Sequence, residues 1–284
     1  MKIKALIKEF IPPIIWRLRK RQIGVDSLPL ADLASENSES RFVGDYSSWE
    51  EALRDSTGYD SQVILDKTLD SILKVKNGQA VFERDSALLD RAEYPFFLIA
   101  SLLHIAALNN GKLSVLDFGG SLGSSYFQCH KFLEPIKSLR WSVVEQRKHV
   151  EYGRKYVEDD VLRFYYTIDE CLKHETPHVV VLSGVIFVVE QPYELIESVI
   201  ATQFEYAIVD RQLFNCIERD RLCVLHVSPN IYRASFPLWF LNEKRFRDAW
   251  LDSYNLEVES DEAAFIVDGS IMPNKQFFYS RKTE

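Results

Sequence analysis

Residues 115–126 read VLDFGGSLGSSY. An apolar run ends on Asp117, glycines stand at 119, 120 and 123, and Ser124-Ser125 opens a stretch of helical character. In a strand–turn–helix unit, such glycines let the backbone close on a ligand at the carboxyl end of the strand. Gly119, Gly120, Ser121 and Gly123 are therefore the candidate ligand loop. A dinucleotide fingerprint spaces its glycines as G-x-G-x-x-G, and counted from Gly119 its second and third glycines fall on Ser121 and Ser124. Asp117 argues against a pyrophosphate as well, because an acid two residues before the turn repels phosphate and attracts an ammonium. A second acid, Glu145, closes RWSVVEQ at 140–146. It stands where a carboxylate takes both hydroxyls of a ribose.

A nucleoside that carries an amino-acid ammonium and no phosphate satisfies both acids, and S-adenosylmethionine is such a molecule. A nicotinamide dehydrogenase is disfavoured by Asp117. Methyl transfer is an in-line displacement, so alignment supplies most of the acceleration and a positioned base adds typically about 10²–10⁴-fold. Asp210, at the end of the run YAIVD and beside Arg211, is the first candidate base, with Arg211 toward the substrate. Arg84-Asp85 is a candidate pair for folding over the same mouth, and His226 is the alternative base. Each has a plainer reading: a structural ion pair for Asp210-Arg211, a solvated charge run for Glu83-Arg84-Asp85, a packing histidine for His226.

The elements that position these residues follow from the rhythm of the chain. SVLDF, RWSVVEQ, LRFYYT, HVVVLSGV and YAIVDRQL are five short β-rich runs, each but the last followed by a helical segment. That alternation predicts a doubly wound, mostly parallel α/β sheet with right-handed crossovers. EKRFRDAWLDSYN then predicts an amphipathic helix, and LEVESDE and KQFFYSRK predict two closing strands, for seven in all. Upstream, SWEEALRDS has capping-box spacing, SQVILDKTLDSILKVKNG is a helix with a glycine stop, and EYPFFLIASLLHIAALNNG reads as a buried core helix. The predicted organisation is a basic segment over 1–22, a linker over 23–48, a helical cap over 49–111, and a cofactor-binding domain over 112–284 with a substrate-facing insertion at 212–242.

The chain has 284 residues with 46% apolar content, enough to bury a full core. Its net charge is −8, but residues 1–22 hold seven cations against Glu9, a net +6 that leaves −14 for the rest. An acidic body argues against a general nucleic-acid binder. The four cysteines show no CxxC spacing, which fits reduced thiols of a cytoplasmic protein. No metal site is expected, since Pro177 breaks the one close histidine pair, His174 and His178. FIPPIIW at 10–16 is too short to span a bilayer and is broken by Pro12-Pro13. With its flanking cations it reads either as an interfacial anchor at the inner face of a membrane or as a solvated terminus.

The stretches VFERDS (81–86), VLDFGGSLGSSYFQ (115–128), RWSVVEQ (140–146), VLSGVIFVVEQPYELI (181–196), VDR (209–211) and NIYRASFPLWF (230–240) carry a family resemblance. Residues 113–284 resemble the class I S-adenosylmethionine-dependent methyltransferases, with their Rossmann-like sheet. From about Trp49 onward the chain is similar to a methyltransferase family found with bacterial O-antigen and other surface-polysaccharide genes. It departs from that family at Gln212-Leu213, where Thr-Pro is usual, and at Phe236, where tyrosine is usual. The resemblance implies that Gly119, Gly120, Ser121 and Gly123 wrap the methionine half of the cofactor near Asp117. It implies further that Glu145 holds the ribose, Gln146 lies beside the adenine, and Ser183-Gly184 closes the pocket floor. Thr167 to Asp169 is either a partner for the adenine amine or the site of a helix cap at Asp169. The implied activity is methylation of a sugar hydroxyl on a surface polysaccharide or its lipid-linked precursor. The alternative is a protein that binds the cofactor and scaffolds glycan assembly without transfer.

Overall fold

The computed structural model describes residues 41–57, 62–84, 86–227 and 234–283. The basic segment 1–22, most of the 23–48 stretch and Asp85 lie outside the described residues. The strands, in chain order, are β1 (Arg41–Val43), β2 (Phe82–Arg84), β3 (Ala87–Leu89), β4 (Lys112–Phe118), β5 (Ser138–Val144), β6 (Leu162–Tyr165), β7 (Val179–Ser183), β8 (Tyr206–Asn215), β9 (Arg221–His226), β10 (Ser235–Asn242), β11 (Tyr254–Val267) and β12 (Ser270–Arg281). The helices are α1 (Trp49–Arg54), α2 (Gln62–Lys76), α3 (Phe96–Leu108), α4 (Ser124–Leu133), α5 (Arg147–Tyr152), α6 (Ile168–Leu172), α7 (Pro192–Ala201) and α8 (Glu243–Leu251). A single π-helical turn, Gly153–Val157, continues α5.

The five expected parallel strands lie side by side in the order β6-β5-β4-β7-β8. β12 adds to β8 antiparallel, and β11 adds to β12, which completes a seven-stranded unit. The central strands are buried on both faces, so they read as near-continuous apolar runs rather than alternating ones. Alternate residues still divide between two layers. Val115, Val143, Val179 and Val181 face α3, α4 and α5, while Leu116, Val144, Val180 and Leu182 face α6, α7 and α8. On the second face Phe246 and Trp250 lie one turn apart on α8, and Trp250 stacks on Tyr279 of β12 at 4.9 Å between centroids.

Three strands continue the sheet beyond this unit. β8 does not end at Asp210 but runs on to Asn215, because Leu213 and Phe214 are apolar and find partners in β12 and β10. β10 pairs β9 antiparallel, and β1 covers the outer edge of β9 through Phe42↔Leu225 and its neighbours. Arg41–Val43, expected within a linker, is thus an edge strand, held by the rings of Phe240 and Phe265 against Phe42.

The upstream helices form where their spacing places them. Ser48 caps α1 by accepting from Glu51 N–H, while the Glu51 carboxylate reaches back to the amide of Ser47. α3 is buried on one side only, through Leu98, Ile99, Leu102, Ile105 and Ala106; Phe96 and Leu108 on its other side are 63% and 58% exposed. It packs on β4, α4 and β8 as an outer layer, so the expectation of a fully buried helix holds for half its circumference. α2 turns Ile64, Leu65, Thr68, Ser71 and Ile72 inward. It reaches α4, the β2–β3 hairpin and the π-helical turn.

Candidate functional site

Ser183, Asp117 and Glu145 stand at the carboxyl ends of the neighbouring strands β7, β4 and β5, and Asp210, midway along β8, lies in register with Ser183. Four residues predicted from separate stretches of sequence are thereby assembled at one rim.

Asp117 lies beneath the glycine turn rather than open to the mouth. It is fully buried, its Oδ2 accepts a hydrogen bond from Trp141 Nε1 at 3.1 Å, and its Oδ1 has no hydrogen-bond partner among the described residues. Burial pushes the Asp117 carboxyl up to about 7, against the pull of the Trp141 N–H, the Arg211 charge and the nearby Ser125 hydroxyl; the Glu145 charge adds to the rise. The chain tolerates this acid only because position 120 has no side chain. A Cβ on Gly120 stands 2.5 Å from the Asp117 carboxyl carbon. Gly123, at φ +91°, then turns the chain into α4 and caps it without a side chain, so the first amides of α4 are left for a ligand or water. Ser121 also takes a positive φ, +53°, which costs a non-glycine residue about 1 kcal/mol or more and concentrates strain in the ligand loop.

Glu145 is half-buried just beyond β5, and its Oε2 accepts from the Gln146 amide at 2.5 Å. Gln146 itself is exposed and precedes α5. Thr167, not Asp169, is the cap of α6: its hydroxyl accepts from Glu170 N–H at 3.0 Å. The threonine wins because its extended backbone aims the hydroxyl at the third amide of the helix.

On the β7–β8 side a second polar cluster forms. Ser183 Oγ donates to Asp210 Oδ2 at 2.6 Å, Gln276 Nε2 donates to Asp210 Oδ1 at 2.6 Å, and Arg211 Nε donates to Ser183 Oγ at 3.3 Å. Asp210 is only 4% exposed, whereas Ser183 is half-buried. The cluster is made possible by a β-bulge. Val209 pairs with Phe277 and Gln212 with Lys275, so Asp210 and Arg211 together oppose the single residue Gln276. Arg211 takes φ +59° there, which swings its guanidinium back over Gly184 to Ser183.

The remaining candidates are not brought to this rim in the same way. Arg84, on the β2–β3 hairpin, donates to the Glu93 carbonyl at 2.8 Å and pairs with its carboxylate at 3.5 Å. Its neighbour Glu83 is buried and accepts from the Ser86 amide at 2.7 Å, so Glu83 is folded inward rather than solvated. His226 sits on β9, exposed, paired with Arg41 and Ser235, and no hydrogen bond or ion pair joins it to Asp210, Ser183 or Gln276. Phe236 is packed in the core between the insertion and the tip of the β11–β12 hairpin. Two contributors were missed by sequence reasoning. Trp141 sits inside an apolar strand and Gln276 inside the closing strand, and only the pairing of strands shows that each meets a carboxylate.

The arrangement suits a ligand that brings positive charge over Asp117 and a diol to Glu145, with its reactive end toward Ser183. No protein-family model and no curated protein matches the sequence. Solved structures of similar chain course include the N-terminal domain of EvdMO1 with SAH bound, at 10% identity over 75% of this chain and 96% of that one, TM-score 0.43. A second is a SAM-dependent methyltransferase from Methanosarcina mazei, at 11% identity over 68% and 100%, TM-score 0.46. A third is SAM-bound CalS10, an amino pentose methyltransferase from Micromonospora echinaspora, at 9% identity over 66% and 91%, TM-score 0.39. At these values the likeness is one of fold alone.

Proposed function

We propose that the protein is an S-adenosylmethionine-dependent O-methyltransferase acting on a sugar hydroxyl of a bacterial surface polysaccharide or its lipid-linked precursor. The observation that carries the cofactor assignment is the pair of carboxylates on adjacent strands, Asp117 beneath Gly120 and Glu145 just beyond β5, flanking a turn in which positions 119, 120 and 123 are glycine. When bound, the cofactor supplies an electrophilic methyl group. Asp117 acts on it as a buried negative charge below the turn, Glu145 as an acceptor for ribose hydroxyls, and the first amides of α4 as donors to its carboxylate. Asp210 serves as the base, with Arg211 at the acceptor side. The sugar acceptor is supported by the resemblance of six stretches to a family found with polysaccharide genes.

Calorimetry tests the cofactor. The protein is expected to bind S-adenosylmethionine or its demethylated product in preference to NAD. Charge-assisted hydrogen bonds are worth about 1.5–3 kcal/mol each, so Glu145→Ala is expected to weaken binding roughly tenfold or more. A preference for NAD, or an alanine variant that binds as wild type does, sinks the assignment. The acceptor is tested by comparing surface-glycan masses in cells with and without the gene; an unchanged profile removes the glycan. Peripheral attachment through residues 1–22, outside the described residues, belongs to the same proposal. No helix among the described residues is long and apolar enough to cross a membrane.

A further inference from the structure

Asp210 is too deeply buried, at 4% exposure, to meet a bulky acceptor directly. One of its oxygens is taken by Gln276 of β12 at 2.6 Å, and the other accepts from Ser183 at 2.6 Å. The Ser183 hydroxyl gives its proton to Asp210 and receives one donor, Arg211 Nε at 3.3 Å. A hydroxyl oxygen has two acceptor positions, so one remains on Ser183, on a side chain that is half-buried at the end of β7. Among the described residues, the other titratable groups facing Asp210 are Arg211, at 3.7 Å, and Cys129 of α4, whose thiol is held protonated by burial and then by the charges of Asp210 and Asp117. Neither competes for the proton. Arg211 reaches Ser183 from a strained, positive-φ position within the bulge.

We propose that Ser183 relays the acceptor's proton to Asp210, with Gln276 and Arg211 as positioning residues that fix the carboxylate and the hydroxyl; this rests on the methyl-transfer reading above. The acceptor oxygen donates its O–H to Ser183 Oγ. As a lone pair of that oxygen bonds the methyl carbon, the carbon–sulfur pair returns to sulfur and cancels the sulfonium charge. The acceptor proton passes to Ser183 as the Ser183 proton passes to Asp210 Oδ2. The products are a methyl ether, a neutral thioether and a protonated Asp210, so the positive charge on sulfur and the negative charge on Asp210 vanish together. A carboxylate is base enough for this step, because the acceptor oxygen becomes strongly acidic only as its bond to carbon forms.

The test uses the full chain with methyl-labelled S-adenosylmethionine and two hydroxyl probes, glycerol and methyl glucoside. Binding of S-adenosylmethionine is measured separately by calorimetry. Wild type is expected to form labelled methyl ether. Ser183→Ala is expected to lose roughly 10²-fold in kcat while cofactor affinity moves only a few-fold, and Ser183→Thr to recover most of the rate. Gln276→Leu removes a donor from the carboxylate, so the acid limb of its pH–rate profile is expected to move to higher pH, which a purely structural role would not do. An atomic-resolution crystal structure of the wild type with the demethylated cofactor and glycerol gives a readout independent of rate. Ser183 Oγ is expected to stay on Asp210 with a glycerol hydroxyl or a water on its other side. The relay is overturned if Ser183→Ala turns over at the wild-type rate, if Ser183 points away from Asp210 in that crystal, or if wild type binds the cofactor yet methylates neither probe. Wild type that fails to bind S-adenosylmethionine overturns the methyl-transfer reading itself.

Discussion

At the scale of single residues, the unusual group is a fully buried aspartate with one strong donor. The ordinary value for an aspartate is near 3.8, and burial holds Asp117 at about 7 in the folded chain. A folded value above the unfolded one means that the protonated form is favoured by folding. The associated stability is present below about pH 4 and is lost as pH rises to about 7, by about 1.4 kcal/mol for each unit crossed. Asp117→Asn, which cannot ionise, is expected to gain on wild type as pH rises from about 4 to about 7, as read by urea denaturation. A constant difference between the two proteins across that range sinks the prediction. Positive charge brought over the turn favours the carboxylate, so S-adenosylmethionine is also expected to release a proton from wild type near neutral pH and none from the asparagine variant. Calorimetry in buffers of different ionisation enthalpy measures that release. The sequence showed Asp117 as an acid at the start of a glycine turn, but not how deep it lies. Its depth is set by Trp141, whose indole arrives from the neighbouring strand.

Among the elements, the first strand–turn–helix unit was the most legible because each of its requirements is local. The strand needs an apolar run, the turn needs residues without side chains, and the helix needs a start. Gly120→Ala tests the tightest of these. The added methyl collides with the Asp117 carboxyl at 2.5 Å, so a loss of about 1–3 kcal/mol is expected in denaturation, together with weakened cofactor binding. An alanine variant as stable as wild type would show that the turn can shift without cost. The bulge in β8 was not legible. Bulges that need a positive φ usually announce themselves with glycine, and here the position is filled by Arg211. Its conformation is imposed by strand pairing and by the guanidinium's contact with Ser183. The same limit applies to α2. Its apolar spacing was plain, but Thr68 and Ser71 face inward because the Ser86 turn meets them: the two hydroxyls of Thr68 and Ser86 lie 2.6 Å apart, and Ser71 donates to the Ser86 carbonyl at 2.9 Å. Thr68→Val leaves the Ser86 hydroxyl buried without that partner and is expected to cost about 1–3 kcal/mol.

Across the whole molecule, the sheet extends the seven-stranded unit through the far half of β8 into β10, β9 and β1. The insertion is therefore an outgrowth of β8 itself, and what moves it moves Asp210-Arg211. Three distant segments lock this outgrowth: β1 from the N-terminal side, β10 from the insertion, and the tip of the β11–β12 hairpin. Phe42 is where they meet, with its ring 5.0 Å from Phe240 and 6.2 Å from Phe265. Around it Arg221 of β9 pairs with Asp268 at the hairpin tip, and Arg219, just before β9, pairs with Asp45, just after β1. Those pairs have exposed partners, and such pairs are worth little, so the rings must carry most of the attachment. Phe42 is only half-buried, and its removal is expected to cost about 1–3 kcal/mol, below the range for a fully buried phenylalanine. If the outgrowth also orients the acceptor side, Phe42→Ala will weaken methylation of the acceptor more than it weakens binding of S-adenosylmethionine, whose proposed contacts are at β4 and β5. Urea denaturation gives the first quantity, and the ratio of acceptor kcat/KM to cofactor Kd gives the second. A variant that unfolds at the wild-type urea concentration removes Phe42 as the lock. One that loses cofactor affinity as steeply as acceptor turnover shows that the outgrowth and the cofactor pocket respond as a single unit.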